Sequence, residues 1–335
     1  MRLIVLPPLS KPQLALLLGL LLSSCSSSRG LHLENDMGDL KKDYNHGTEV
    51  SWSKPLASAD FVATAMADSG LARALAVEGD LSVVTYHIGQ YFYTPEDIAT
   101  PVLQVEDRPF GAWLSAGIDI ETLDLDPVDM DRRDKYSSVG LSLGTVGPSA
   151  LGEQVHTDWH QAFSLTEPRG WQHQLKDEPT VQARVDRAWR VDFRQVSGPA
   201  SKRPWQTDAD LTCGLSLGNV RTEARVGSRL RLGQNLDRSF GAQSLAGLHR
   251  ATGAVEWELF AAGETRLVGR DIFLDGNTFK SSHSVNKHPV VADIGAGITA
   301  RIGGVSISLG HYLRTREFDT QDEPMTIWTL DIRSL

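Results

Sequence analysis

Cysteine is nearly absent from the 335 residues, with only Cys25 and Cys213 present, so no disulfide framework can hold this chain together. Aromatic residues make up 7% and charged residues 22%, and glycine follows no collagen-like period; the composition fits neither a fibrous nor a charge-driven disordered chain. After the first 25 residues no apolar run approaches the 20 residues a membrane-spanning helix needs. Positive charge is also short. Thirty-three Lys and Arg stand against 42 Asp and Glu, a formal net charge of -9, with no basic cluster, which disfavours nucleic acid as a partner. What remains is a globular protein or a β-barrel.

The first 25 residues read as an address. Arg2 and Lys11 precede the nine-residue apolar run 14–22, too short to span a bilayer but suited to the core of a secretory signal peptide. The run ends in Leu22-Ser23-Ser24-Cys25, similar to the lipobox of bacterial lipoproteins, and the small residues Ser23 to Ser28 equally suit an ordinary cleavage site. Both readings export the chain and leave Cys213 without an intrachain partner, as a small apolar residue. Residues 30–335 then form one domain.

From residue 30 onward the hydrophobic pattern has period two. Val181, Ala183, Val185, Trp189, Val191 and Phe193 alternate with Gln182, Arg184, Asp186, Arg190 and Asp192. The alternation recurs at 110–120, 139–143, 211–217, 230–232, 255–259, 298–302, 305–309 and 328–332, and more weakly at 31–36, 46–52, 81–92 and 265–272. About a dozen strands of roughly nine to eleven residues are expected, the length that crosses a membrane. A soluble β-sandwich shares this alternation. The export signal, the repetition along the whole chain, and polar faces bearing Arg, Asp and Glu favour an all-β fold, an antiparallel transmembrane β-barrel. Charged inward faces at this strand count crowd a narrow lumen and argue against a general transport pore.

One segment breaks the period. Leu151, Val155, Trp159 and Phe163 recur every four residues, the stripe of a short amphipathic helix over 149–163, with Pro148 and Ser149 as start signals. The apolar stripe is expected to pack on the barrel rim, with His156 and His160, about 100° round from it, looking into a cleft. Asp107-Arg108-Pro109 reads as a turn with a buried or luminal ion pair, and Trp171 as a loop anchor.

Several motifs occur in one order. They are Glu34-Asn35-Asp36, Asp43-Tyr44-Asn45-His46-Gly47 with Ser51-Trp52, Gln90-Tyr91-Phe92-Tyr93-Thr94-Pro95, Asp107-Arg108-Pro109-Phe110, Gly147-Pro148-Ser149-Ala150, and the run from Gly170 to Pro179. Leu217-Gly218-Asn219-Val220 and Arg314-Thr315-Arg316-Glu317-Phe318 follow. Together these resemble the LpxR-type lipid A 3'-O-deacylases over essentially the whole chain beyond the signal segment.

The resemblance implies a twelve-stranded barrel in the bacterial outer membrane whose site lies between the wall and a loop helix at the outer rim. It also implies a calcium-dependent esterase that removes the 3'-linked acyloxyacyl group from lipid A. Its substrate is lipopolysaccharide, and no protein partner is evident. The family's base falls on His160 and its Asn-Asp pair on Asn35 and Asp36. Three positions depart from the pattern: Asn45 stands where Thr is common, His156 where the family has glutamine, and Thr166 at the acidic position, with Glu167 one place later.

The chemistry can be weighed residue by residue. Ester hydrolysis needs a base titrating near ambient pH, which histidine supplies unperturbed. It also needs positive charge at the developing oxyanion, which Ca²⁺ on oxygens such as those of Asn35, Asp36, Asn45 and Glu167 can provide. Gly140 to Gly144 and Gly214 to Gly218 match Gly-x-Ser-x-Gly, but both lie inside alternating strand stretches and not at a strand-to-helix elbow, so water is expected to attack. On a regular strand Asn35 and Asp36 would point to opposite faces, so a bulge, a strand end or a backbone contribution is expected there. His156 can act as donor, acceptor or second base. Two other readings stand: zinc held by His156 and His160 with Glu153 or Glu167 as a third ligand, and a non-catalytic or decayed barrel.

Overall fold

The computed structural model describes residues 28–35, 45–58, 61–69, 79–125, 133–191, 205–240, 251 and 253–334. Residues 1–27, with Cys25 and the expected signal segment, lie outside them, as does Asp36.

Twelve antiparallel strands close one barrel: β1 (Ser28–Asn35), β2 (Asn45–Pro55), β3 (Leu81–Tyr93), β4 (Gly111–Leu125), β5 (Arg133–Val146), β6 (Glu178–Val191), β7 (Gln206–Gly218), β8 (Arg221–Gly233), β9 (Glu256–Asp271), β10 (Val290–Ile302), β11 (Val305–Arg314) and β12 (Met325–Ser334). Each strand pairs with its neighbours in the chain, and β1 closes on β12 from Arg29 opposite Ser334 to Asn35 opposite Trp328. Closure leaves no strand edge to be satisfied, which in a bilayer is a requirement. The stretches 255–259 and 265–272, expected as two strands, are the two ends of β9. Its sixteen residues run through Ala261, Ala262 and Gly263, where small side chains hide the alternation.

The alternation sorts side chains in the sense opposite to a soluble protein. Along β7, Leu211, Cys213, Leu215 and Leu217 are exposed, while Asp208, Asp210 and Ser216 are buried. Ile88, Leu143, Val181, Val226, Leu230, Leu267 and Ile294 continue the exposed apolar band round the wall. A charge on that outer face would cost about 2–4 kcal/mol at the membrane midplane, which decides the side each strand turns outward. The charges pair across the lumen instead: Arg301 reaches Glu258 at 2.6 Å, and Arg231 holds Asp208 through two nitrogens at 2.6 and 2.8 Å.

Each rim carries a packed cluster of described residues. At one rim Tyr93, Val146, Leu175, Val220, Ile272 and Phe273 form an apolar cap, the last two from the short helix Ile272–Asp275. At the far rim residues 236–240 turn inward: Arg190 donates to the carbonyls of Leu236 and Ser239, and Phe240 packs on Leu123, Ala188 and Tyr136. A helix, α1 (Phe61–Ala67), lies against the outer wall near the far rim, with Ala63 buried on Val84 and Ile120. The site stands on the outer wall at the first rim.

Candidate active site on the outer wall

The segment between β5 and β6 leaves the barrel through Gly147, whose φ of 102° is open to glycine and strained for other residues. A 3-10 turn, Pro148–Ala150, follows, then Leu151 in the left-handed region at φ 60°. That sharp corner lays α2 (Gly152–Ala162) down on the outside of β3 and β4. Gln90 of β3 ties the corner to the wall, its Nε2 donating to the Ala150 carbonyl at 2.7 Å. Contact is closest at Gly152, where a Cβ would stand 2.4 Å from the Ala112 methyl and 2.8 Å from the Trp171 ring.

The helix is seated the other way round from the sequence expectation. Gly152, His156 and His160 are buried against the wall, whereas Leu151 is exposed and Val155, Trp159 and Phe163 are only partly covered. The imidazoles find their hydrogen bonds only against protein, Val155 still packs on the floor beneath the helix, and the outermost face carries Glu153, Gln154, Asp158 and Gln161.

Beneath the helix an aromatic floor is formed by Phe92, Phe110 and Trp171, with Ala112 and Ala150. Phe92 and its chain neighbour Tyr93 take opposite faces of the wall, one under the helix and one in the apolar cluster at the rim. The two imidazoles meet edge to face with Nε2 atoms 3.0 Å apart. His160 Nδ1 makes a short hydrogen bond to the Thr166 carbonyl, and Trp171 Nε1 lies 3.2 Å from His156 Nδ1. His156 is fully buried and titrates at about 3, held down by burial first and then by the neighbouring His160 and His46. His160 is also lowered, by burial, with its bond to Thr166 pulling the other way.

Asn35 is the last residue of β1, the strand end anticipated for the Asn-Asp pair, and stands in register with His46 of β2 and Trp328 of β12. His46 stacks on Phe92 at 4.9 Å, and Phe92 meets His156 at 5.2 Å. A row from β1 to α2 therefore runs Asn35, His46, Phe92, His156, His160. Asn45 begins β2 in register with Tyr93. Glu167 is directed to Arg169 at 3.3 Å with more than half of its side chain exposed, and Glu153 lies exposed in the first turn of α2.

Sequence reasoning did not single out His46 or Phe92 as site residues. Both sit inside quoted motifs, and their outward positions follow only once strand register is known. The Asp107-Arg108-Pro109 turn is as expected: Asp107 accepts from the amides of Glu96 and Arg108, and Arg108 pairs with buried Glu317 at 2.8 Å.

A closed strand barrel with an apolar exterior, a charged lumen and a histidine pair pinned to its outer wall at one rim defines an outer-membrane β-barrel with a rim site. The family model described as outer membrane protein LpxR matches residues 14–332, and the chain belongs to that family. Among solved structures, LpxR from Salmonella typhimurium is similar over 92% of this chain and 99% of that one, at 20% identity and a TM-score of 0.69, a likeness of fold. The β-domain of the Bordetella autotransporter BrkA is a looser likeness, at 10% identity over 92% of this chain and 98% of that one, with a TM-score of 0.44. None of the curated proteins compared with the chain matches it.

Proposed function

We propose that this protein is a carboxylic ester hydrolase of the outer membrane that removes the 3'-linked acyloxyacyl group of lipid A, with His160 as the base that activates water. The observation that carries the reading is the placement of His160. It is a neutral imidazole oriented through Nδ1 by a backbone carbonyl, held between α2 and the outer wall and so on the bilayer side of the barrel rather than in its lumen. Family membership supports the substrate class.

In the reaction the water oxygen attacks the ester carbonyl while its proton passes to His160 Nε2, and the Nδ1–H bond to Thr166 keeps the ring in place. Collapse of the tetrahedral intermediate breaks the bond to the sugar 3'-oxygen. His160 returns the proton to that oxygen, giving a free hydroxyl and an acyloxyacyl acid.

Calcium belongs to the proposal through Asn35 and Asp36, the second outside the described residues. Among the described residues no three His, Cys, Asp or Glu side chains converge as cation ligands, and Glu167 is engaged with Arg169. The described part of the site does not by itself fit a calcium ion, and no step above passes through one.

Mass spectrometry of lipid A after incubation with detergent-solubilised protein tests the reading, with Ca²⁺, with chelator, and with His160→Ala in parallel. Loss of the acyloxyacyl mass from wild type alone supports the esterase. Loss that persists in chelator removes calcium. Intact lipid A with folded wild-type protein leaves the non-catalytic barrel, and zinc co-purifying in stoichiometric amount favours the metal reading.

A further inference from the structure

The two imidazoles stand between one partner that can only donate and one that can only accept. An indole nitrogen has a hydrogen and no lone pair to offer, so the nitrogen it faces at 3.2 Å, His156 Nδ1, is an acceptor. A carbonyl oxygen has no hydrogen to give, so the nitrogen facing Thr166, His160 Nδ1, is a donor. A neutral imidazole carries one hydrogen. His156 therefore bears its hydrogen on Nε2, and His160 bears its lone pair on Nε2. These are the two atoms 3.0 Å apart. Each end, read separately, assigns the middle contact the same polarity.

We infer that Trp171 is a positioning residue that acts through His156. A one-way hydrogen-bond chain, Trp171 to His156 to His160 to Thr166, locks both imidazoles in complementary tautomers, with His156 a fixed donor and His160 a fixed acceptor. The inference rests on the reading of His160 as the base. It fixes His156 as a donor toward His160 and excludes two other roles open to it. As a second base, His156 would need its hydrogen on Nδ1, directly against the indole N–H. With Trp171 only 1% exposed and His156 fully buried, two facing donors there would be costly. As a zinc ligand His156 would have to present an Nε2 lone pair that the chain has filled with hydrogen. Depressed proton affinity at both rings agrees with the neutral state the chain requires; among the described residues the titratable groups that act on His156 are His160 and His46.

The lock has a consequence for turnover. At rest the His156 Nε2–H occupies the nitrogen on which His160 must take a proton. A water that displaces it gains the base, and the released N–H is left beside the reacting oxygen as a preoriented donor.

Two-bond proton–nitrogen spectra of the ¹⁵N-histidine-labelled full chain in detergent at pH 7 test this, with the rings assigned from His156→Gln and His160→Gln. The expected result is His156 as the Nε2–H tautomer and His160 as the Nδ1–H tautomer. In Trp171→Phe, which keeps the ring and removes the donor, His156 leaves its single tautomer, and kcat falls about tenfold, the worth of one directed hydrogen bond, with KM within about twofold. A wild-type His156 that is protonated or carries Nδ1–H overturns the inference, as does a Trp171→Phe spectrum identical to wild type. The wild-type spectrum decides alone if the variant does not fold. It needs no turnover, so intact lipid A would defeat the esterase reading and leave the chain to be judged separately.

Discussion

His160 owes its value as a base to a contest between burial, which lowers its proton affinity, and the Thr166 carbonyl, which raises it. Burial wins, so the ring stays neutral below the ordinary histidine value of about 6.5. A general base works in its deprotonated form. The acid limb of kcat/KM is therefore expected below pH 6.5, with activity retained in mildly acidic medium; a limb at or above 6.5 in a pH–rate profile would contradict this. His160→Ala should cost about 10²- to 10⁴-fold in kcat with KM little changed, measured on lipid A by mass spectrometry. At this scale the sequence was informative about identity and silent about state. His160 was legible from its place in a family-like run. That His156 is kept neutral could not be read from the chain, because its surroundings come from β2, β3 and the loop carrying Trp171.

At the scale of elements, α2 is a separately docked piece held by small-residue contact and buried imidazoles. Replacing Gly152 by Leu drives a side chain into Ala112 and Trp171, so the helix should lift from the wall. The expected outcome is loss of most activity with the barrel's thermal unfolding unchanged, compared by circular dichroism melts. Docking should also depend on pH. His156 holds a proton below about 6.5 when the helix is undocked and only below about 3 when docked. The undocked form therefore binds more protons between those values. Docking is at full strength above pH 6.5 and weakens as pH falls toward 3. Protection factors of the 152–162 amides, each taken against the intrinsic exchange rate at its own pH, should be lower at pH 4.5 than at pH 7; equal protection would show that His156 charging is not coupled to docking. The helix itself was legible from its spacing of four. Its seating was not, because the stripe that marks the helix in sequence is only partly covered, and the fully buried positions are Gly152, His156 and His160.

For the whole molecule, stability resides in a lumen of paired charges as well as in strand closure. Glu258 is fully buried and reaches both Arg301 and Arg231. Glu258→Gln leaves two buried cations with a weaker partner and should destabilise the barrel by about 3–5 kcal/mol. The unfolding midpoint in urea, with folding into detergent or lipid kept reversible, checks it. A shift under 1 kcal/mol would mean that the network re-pairs around the loss.

What the sequence determined by itself is whatever depends on near neighbours along the chain. The two-residue pleat writes itself into Leu211, Cys213, Leu215 and Leu217 against Asp208, Asp210 and Ser216, and about a dozen such stretches, with the expected export signal, favour a barrel over the sandwich that shares the alternation. The helical spacing of 151–163 is equally local. Tertiary structure alone decided that Asn35, His46, Phe92, His156 and His160 share one wall, because strand register and the docking of α2 join residues 11, 46 and 64 apart in the chain. It also decided that α2 turns its histidines inward. Hydrophobic pattern says which face differs from the other, and only the medium on each side, lipid here and protein there, says which face is buried.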